Sequence, residues 1–91
     1  MTVRFTARRM AWQGKTHDEI SALRWVEDGT TDEYESTRDV LVAWVRDGGR
    51  GYALDEAGEQ QWIELVEGDP PHVRTRGEGE WRDDLLKLPL Y

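Results

Sequence analysis

The sequence predicts an α+β fold: one compact domain over residues 1–91, with elements in the order β-β-α-β-β-β and one helix packed on a largely antiparallel sheet. Three observations predict it. Apolar and polar residues alternate near the N-terminus, a capped helical segment lies mid-chain, and three short β-type runs between glycine and proline turns follow it. A length of 91 residues suits one domain with one core.

The first two strands are predicted from alternation. Residues 3–12 alternate for a while, as a half-buried strand does. One face carries Val3, Phe5 and Ala7, and the other carries Arg4, Thr6 and Arg8. A polar turn at residues 13–16 leads to a second β-type run over residues 20–26, so we expect a hairpin. Its register stays open between a strand covered on both faces and a bulge that shifts the phase.

The helix is predicted from its two ends. Residues 27–35 are acidic and aperiodic, which predicts a loop, and the sequence Ser36-Thr37-Arg38-Asp39 that follows has capping-box spacing with Ser36 as the cap. Gly48 and Gly49 can end a helix in the left-handed conformation. About twelve residues of helix are expected between these ends. The predicted apolar stripe comprises Val40, Leu41, Trp44 and Val45.

Three short strands are predicted after the helix. Residues 50–54 and residues 61–66 read as strands joined by a turn at residues 55–58, which makes a second hairpin. Pro70 and Pro71 interrupt the chain, since proline cannot donate to a strand ladder. Residues 72–76 then form a last strand, which we expect at a sheet edge.

Composition excludes several classes of protein. The chain has no cysteine, so neither a disulfide framework nor a thiolate zinc site stabilises it. A net charge of −7, from 19 acidic and 12 basic residues, argues against nucleic acid as a partner. No apolar run approaches the ~18 residues of a membrane span, and no signal-peptide core follows Met1. We therefore expect a cytoplasmic protein without a membrane partner.

The basic residues are unevenly placed. Residues 1–15 carry four bases and no acid, whereas residues 16–47 carry nine acids and three bases. Opposite charges on paired strands attract. The first segment is therefore expected to lie beside an acidic one.

Several short blocks resemble a family of small bacterial proteins known as domain of unknown function 3892. The resemblance is carried by His17-Asp18-Glu19-Ile20, the helix from Ser36 through Trp44-Val45, Tyr52-Ala53, Val73-Arg74-Thr75, Gly79-Glu80-Trp81 and Asp83-Asp84-Leu85-Leu86-Lys87-Leu88-Pro89. The usual family ending has aspartate-asparagine before the two leucines, where this chain has Asp83-Asp84. The resemblance implies a small cytoplasmic bacterial protein, but no chemistry, cofactor or partner.

Catalytic and metal-binding patterns are missing from the sequence. No cysteine or glycine-serine-glycine elbow supplies an activated nucleophile, so an enzyme is the less favoured reading. His17 and His72 lack the spacing of metal ligands, and we assign His17 to a polar turn and His72 to the start of a strand. No metal, cofactor or catalytic residue is predicted.

The five tryptophans are the main candidates for binding. Trp44 is assigned to the core through the helix stripe, whereas Trp12, Trp25 and Trp62 could each be core or part of an exposed patch. Trp81 is expected to pack with Leu85 and Leu88 in a latch formed by residues 81–91.

These observations favour a non-enzymatic protein-interaction module, with a homodimer as one form, that uses the sheet face opposite the helix or an edge strand. The alternative is a small-ligand-binding domain or minor enzyme, with a pocket between the second strand and the tail where Arg74, Trp81 and Asp83 converge. The candidate interaction residues are Trp12, Trp25, Trp62, Arg74, Arg76, Trp81, Asp83 and Asp84.

Overall fold

The computed structural model describes residues 2–91, which form seven strands, one α-helix and two 3-10 turns. The strands are β1 (Thr2–Met10), β2 (Ile20–Glu27), β3 (Glu33–Thr37), β4 (Arg50–Leu54), β5 (Gln60–Val66), β6 (His72–Gly77) and β7 (Glu80–Trp81). The helix α1 spans Arg38–Arg46, and the first and second 3-10 turns span His17–Glu19 and Asp84–Lys87.

All seven strands belong to one sheet, in the order β3-β2-β1-β4-β5-β6-β7. Only β1 and β4 pair in parallel, and the other neighbours are antiparallel. The prediction of a single compact domain with one helix and a largely antiparallel sheet is therefore confirmed. The order along the chain is β-β-β-α-β-β-β-β, with one more strand before the helix and one more after it.

The two additional strands lie at the edges of the sheet. β3 occupies the end of the segment predicted to be a loop, and its residues are mostly exposed. Because neither face of β3 is buried, its sequence shows no alternation, and only the backbone pairing with β2 makes it a strand. β7 is two residues long and pairs with the end of β6, so β6 is not an edge strand throughout its length.

The N-cap of the helix lies one residue later than predicted. Thr37 is the N-cap, and its hydroxyl oxygen accepts from the Val40 N–H, whereas the Ser36 hydroxyl accepts from the Trp25 indole. The predicted capping box is therefore wrong, because β3 extends through Thr37 and the Ser36 side chain is bonded to Trp25 instead of to the helix. α1 is nine residues long and not about twelve, and it ends before Gly48, whose φ of 95° is left-handed.

The buried face of α1 differs from the predicted stripe by one residue. Leu41 and Val42 are buried, Trp44 and Val45 are half-buried, and Val40 is exposed. Successive helical residues are about 100° apart, so a face centred on Leu41 and Val45 places Val40 on the far side.

The β1–β2 ladder contains two shifts of register, between Phe5 and Ala7 and between Arg9 and Met10. The second shift makes Ser21 an extra residue of β2, so Ile20 and Leu23 share the core face as the predicted bulge requires. Ala22 and Leu23 are adjacent with no shift between them, and both are buried, so both faces of β2 are covered at this point.

One core lies between α1 and the sheet. α1 contacts β2, β3, β5 and β6, and both 3-10 turns contact β6. The core residues are Val3, Phe5, Ile20, Leu23, Leu41, Val42, Ala53, Ile63, Val73 and Leu85. Within residues 2–91, no helix is long and apolar enough to cross a membrane.

Arg9 of the basic first strand reaches beyond β2 to β3. Its guanidinium lies 3.2 Å from the Glu35 carboxylate, and Thr6 donates a hydrogen bond to Glu33. The basic segment thus lies near acidic residues of β3, although β2 separates the two strands.

Candidate functional site

A row of side chains crosses the sheet on the face opposite α1. Tyr52 pairs with Trp62, Trp62 with Arg76, and Arg76 with Trp81. Residues directly opposite each other on paired strands project from the same face. The neighbouring residue Ile63 is in the core under α1, so Trp62 and its row point away from the helix. We call Tyr52, Trp62, Arg76 and Trp81, together with Arg50, the sheet-face row.

Arginines lie against aromatic rings in the sheet-face row. The Arg76 guanidinium lies 4.8 Å from the centre of the Trp81 ring, and the Arg50 guanidinium lies 4.6 Å from the Trp62 ring. The Tyr52 and Trp62 rings meet at 5.2 Å with a tilt of 59°. Each exposed cation–π contact stabilises by roughly 0.5–1 kcal/mol. These contacts hold the side chains in order before any partner binds.

Both arginines and carboxylates lie around the sheet-face row. Arg4 pairs with Tyr52 across β1 and β4, so it lies on the same face as Arg76. Glu64 shares this face through its pairing with Arg74. The Tyr52 hydroxyl donates to Asp28 at 2.8 Å, and burial followed by this carboxylate raises the pKa of Tyr52. Tyr52 therefore stays protonated at neutral pH.

The other two candidate tryptophans lie outside the row. Trp25 pairs with Phe5, which places it on the α1 side, where its ring stacks on Tyr34 at 4.9 Å. Trp12 lies between β1 and the first 3-10 turn and is 90% exposed. Trp25 therefore packs against the core, whereas Trp12 is exposed.

Trp81 and the leucines of the C-terminal segment point in different directions. Leu85 is fully buried, and Leu86 and Leu88 pack against the core. Trp81 is 38% exposed and lies against Arg76, because its pairing with β6 directs it to the outer face. Whether residues 81–91 act as a latch stays a prediction about stability.

Asp84 is a buried carboxylate with several hydrogen bonds. It is 4% exposed and accepts from the Thr75 hydroxyl at 3.0 Å and from Arg82 Nε at 2.7 Å. Burial alone would raise the pKa of Asp84, but the hydrogen bonds from Arg82 and Thr75 outweigh it and hold the pKa below its usual value. Asp84 therefore positions the second 3-10 turn and is almost completely buried, unlike the other candidate residues.

Sequence reasoning missed the partners of Asp84. Arg82 also lies 3.6 Å from Asp55, which accepts a hydrogen bond from Gln61. The adjacency of Arg82 to an acidic pair was the only local signal, whereas Thr75 and Asp55 are brought to it by strand pairing.

A cleft of about 500 Å³ opens where the first 3-10 turn, β6 and the C-terminal segment meet. We call it the His17 cleft. Its lining residues are Lys15, Thr16, His17, Asp18, His72, Arg74, Asp83, Leu86 and Lys87. The Glu19 carboxylate shapes the turn by accepting from the N–H groups of Lys15 and Thr16, bonds that lower the pKa of Glu19.

His17 is the buried polar residue of this cleft. It is 7% exposed, and its Nε2 has no hydrogen-bond partner among residues 2–91. The nearest carboxylate oxygen, Asp83 Oδ1, is 3.8 Å away, beyond hydrogen-bond range. Burial, followed by the charge of Arg74, lowers the pKa of His17, so the ring is neutral at pH 7. A buried group without a partner costs about 1–3 kcal/mol.

The assignment of His17 to a polar turn was incomplete. The turn exists, but β6 packs against it and buries the imidazole. Nothing in the local sequence signals this, because β6 is more than fifty residues away along the chain. His72 does begin β6, as predicted, and its Nδ1 lies 3.1 Å from the Pro70 carbonyl oxygen.

Arg74 and Asp83 meet as the sequence suggested. Arg74 Nη2 donates to Asp83 Oδ1 at 2.9 Å, and its Nε donates to the Arg82 carbonyl at 3.0 Å. Trp81 does not join them. It lines a separate, more acidic cleft with Asp55, Arg82 and Asp84. In the described chain, no three histidine, aspartate or glutamate residues are grouped so that they could hold a metal ion.

Comparison with known proteins identifies a family and no further relatives. A family model described as protein of unknown function (DUF3892) matches residues 4–89. No curated protein matches the chain significantly. No solved structure matches it either.

Proposed function

Because the chain belongs to the DUF3892 family, whose description names no activity, we propose its function from geometry: a non-enzymatic module that binds a protein partner through the sheet-face row. One observation carries the proposal. Two tryptophans and two arginines, drawn from three strands of the sheet and the edge strand β7, form two cation–π pairs on the sheet face opposite α1.

The residue types of the row suit protein recognition. Tryptophan, tyrosine and arginine are the residues most enriched among those that dominate binding energy. Side chains already held by neighbours lose less conformational freedom on binding, which strengthens the complex. Trp62 and Arg76, being directly paired, are preorganised in this sense.

The charge of the row favours a partner that supplies carboxylates. Arg4, Arg50 and Arg76 can each donate to a carboxylate in fork geometry. A symmetric homodimer through this face would bring the same arginines of two copies together, and like charges at an interface are unfavourable. An acidic protein segment therefore fits the row better than a second copy does.

The test compares matched variants in capture of partners from an extract of the native host, combined with light scattering. Arg76→Glu and Trp81→Ala should each weaken retention of the partner at least about tenfold, as expected for residues that dominate binding. Trp12→Ala removes an exposed tryptophan outside the row, and Arg46→Glu makes the same charge change at the end of α1. Both controls should retain the partner.

Two results would contradict the proposal. One is a strict monomer that retains no specific protein. The other is a partner that Arg76→Glu binds as well as the original protein does. Light scattering that shows a dimer sensitive to Arg76→Glu would instead favour the homodimer.

A second candidate function is the binding of a small ligand near the C-terminal segment. The observation that favours it is the His17 cleft, in which a buried imidazole nitrogen has no partner. Its volume lies within the range of about 300–1,000 Å³ that is usual for small-molecule sites.

A further inference from the structure

We propose that the His17 cleft binds a small organic anion, whose oxygens are held by Lys15, His17 and Arg74. The inference rests on the second candidate function and not on the sheet-face row, because none of the row's residues lines this cleft.

Three separate segments of the chain build the cleft. Residues 15–18 come from the first 3-10 turn and the two residues before it, His72 and Arg74 from β6, and Asp83, Leu86 and Lys87 from the C-terminal segment. Contacts between the segments hold it together, namely the Arg74–Asp83 ion pair and the hydrogen bond from Arg74 to the Arg82 carbonyl. The walls are thus formed before a ligand enters.

The charges of the cleft favour an anion. Its permanent cations are Lys15, Arg74 and Lys87, and its acids are Asp18 and Asp83. Each acid already has a partner in the protein, because Asp83 accepts from Arg74 and Asp18 accepts from the Thr16 hydroxyl. The hydrogen bond from Thr16 lowers the pKa of Asp18, which therefore remains charged and bonded.

Some hydrogen-bond donors of the cleft have no partner among residues 2–91. Lys15 makes no ion pair with any residue between 2 and 91. Arg74 uses Nε and one terminal nitrogen, so its Nη1 makes no hydrogen bond in the described structure. An arginine carries five donor hydrogens in a planar fork. A ligand oxygen could therefore be bound by Lys15 and Arg74 without breaking an existing contact.

His17 supplies the observation that points to a ligand. His17 lines the cleft, and its buried Nε2, which has no hydrogen-bond partner among residues 2–91, lies 3.8 Å from Oδ1 of Asp83, another residue of the cleft. A neutral imidazole carries one N–H donor. Buried polar atoms in folded proteins are nearly always hydrogen-bonded, so an exception needs a physical reason. An oxygen of a bound anion would satisfy this nitrogen.

The size and lining of the cleft limit the ligand. About 500 Å³ accommodates a small metabolite but not a folded partner. Leu86 adds an apolar wall beside the cationic one. These features fit a short organic acid or a small phosphate ester, which share the oxygen anion that the donors would bind.

The experiment is a titration of the full chain followed by two-dimensional amide NMR at constant ionic strength. One arm uses succinate and the other uses inorganic phosphate. Saturable shifts should be confined to residues 15–19, 72–75 and 82–87 in at least one arm. The arm that saturates at lower concentration identifies whether carboxylate or phosphate is preferred.

Variants test which atoms bind. His17→Phe keeps a buried ring but removes Nε2, and it should weaken binding about tenfold. Lys15→Ala is an exposed change that leaves the fold intact and should weaken binding about threefold to fivefold. Arg46→Ala, which removes a cation at the end of α1, is the matched control and should leave binding unchanged.

The proposal is overturned if neither anion produces saturable shifts, if the shifts centre elsewhere, or if Arg46→Ala weakens binding as much as Lys15→Ala does. The last result would show that only the overall charge matters. Failure here is distinguishable from failure of the sheet-face row, because the cleft variants leave Trp62, Arg76 and Trp81 in place.

Discussion

Asp84 and His17 are both buried polar residues beside the C-terminal segment, but the protein satisfies only one of them. Asp84 accepts hydrogen bonds from Thr75 and Arg82, whereas His17 Nε2 has no partner among residues 2–91. A buried carboxylate with several donors stabilises a local structure. A buried imidazole without a partner destabilises the fold, and such groups are typical of binding sites.

The largest effect on stability is expected from deleting residues 81–91, because the deletion removes Asp84 together with the whole C-terminal segment. The deletion exposes the core beneath Leu85, and each buried large side chain contributes about 1.5–3 kcal/mol. We expect a loss of several kcal/mol in the free energy of unfolding, measured by urea denaturation. Leu90→Ala, at an exposed position of the same segment, is the control. Unchanged stability after the deletion would show that the segment is an accessory and not a latch.

Asp84→Asn tests the satisfied carboxylate. Removing its charge leaves Arg82 without its closest partner, and we expect a loss of about 1–3 kcal/mol in unfolding free energy. Asp83→Asn is the matched control, because the Asp83 side chain is 62% exposed and its ion pair should contribute less than about 1 kcal/mol. Equal losses of stability in the two variants would contradict the view that Asp84 contributes more to stability than its exposed neighbour Asp83.

The stabilising effect of Asp84 should also depend on pH. The pKa of Asp84 is lowered in the folded protein, so its stabilising effect is complete above the unfolded value of about 3.9 and is lost as the pH falls through the folded value. The stability difference between the original protein and Asp84→Asn should therefore shrink below about pH 4. A difference that stays constant with pH would contradict the assigned hydrogen bonds.

His17→Phe should change the free energy of unfolding by less than Asp84→Asn does, and in the opposite direction. Without a ligand, removing an unsatisfied nitrogen should leave stability unchanged or raise it by about 1 kcal/mol. The pKa of His17 is lowered by burial, so the unfolded chain binds the proton more readily. The original protein should lose stability as the pH falls below about 6.5, and His17→Phe should lose less of it. Thermal denaturation across this pH range measures both effects.

The smallest effect on stability is expected at the arginine–tryptophan pairs of the sheet-face row, which are partly exposed. Arg76→Ala removes one cation–π contact and should change the unfolding free energy by at most about 1 kcal/mol. Trp12→Ala, which changes the most exposed tryptophan, should stay within about 0.5 kcal/mol. A loss well above 1 kcal/mol in Arg76→Ala would indicate a structural role for the row rather than a binding one.

Local sequence patterns predicted the elements that bury one face or carry a strong stop signal. The alternation in β1, the glycine end of α1 and the β4–β5 hairpin are of this kind. β3 was missed because its side chains are mostly exposed on both faces, and Ser36 was assigned to the wrong element for the same reason. Trp62, Arg76 and Trp81 were named as candidates, but their alignment in one row depends on the register of β5, β6 and β7.

The sequence by itself determined the class of fold, the family and the residues worth testing, since these follow from periodicity, capping and short motifs within a few residues of one another. The tertiary structure decided which of those residues act together. The parallel pairing of β1 with β4, the burial of His17 under β6 and the separation of Asp83 from Asp84 all depend on contacts between distant segments. Such contacts are set by the packing of one shared core, and local propensity carries no information about them.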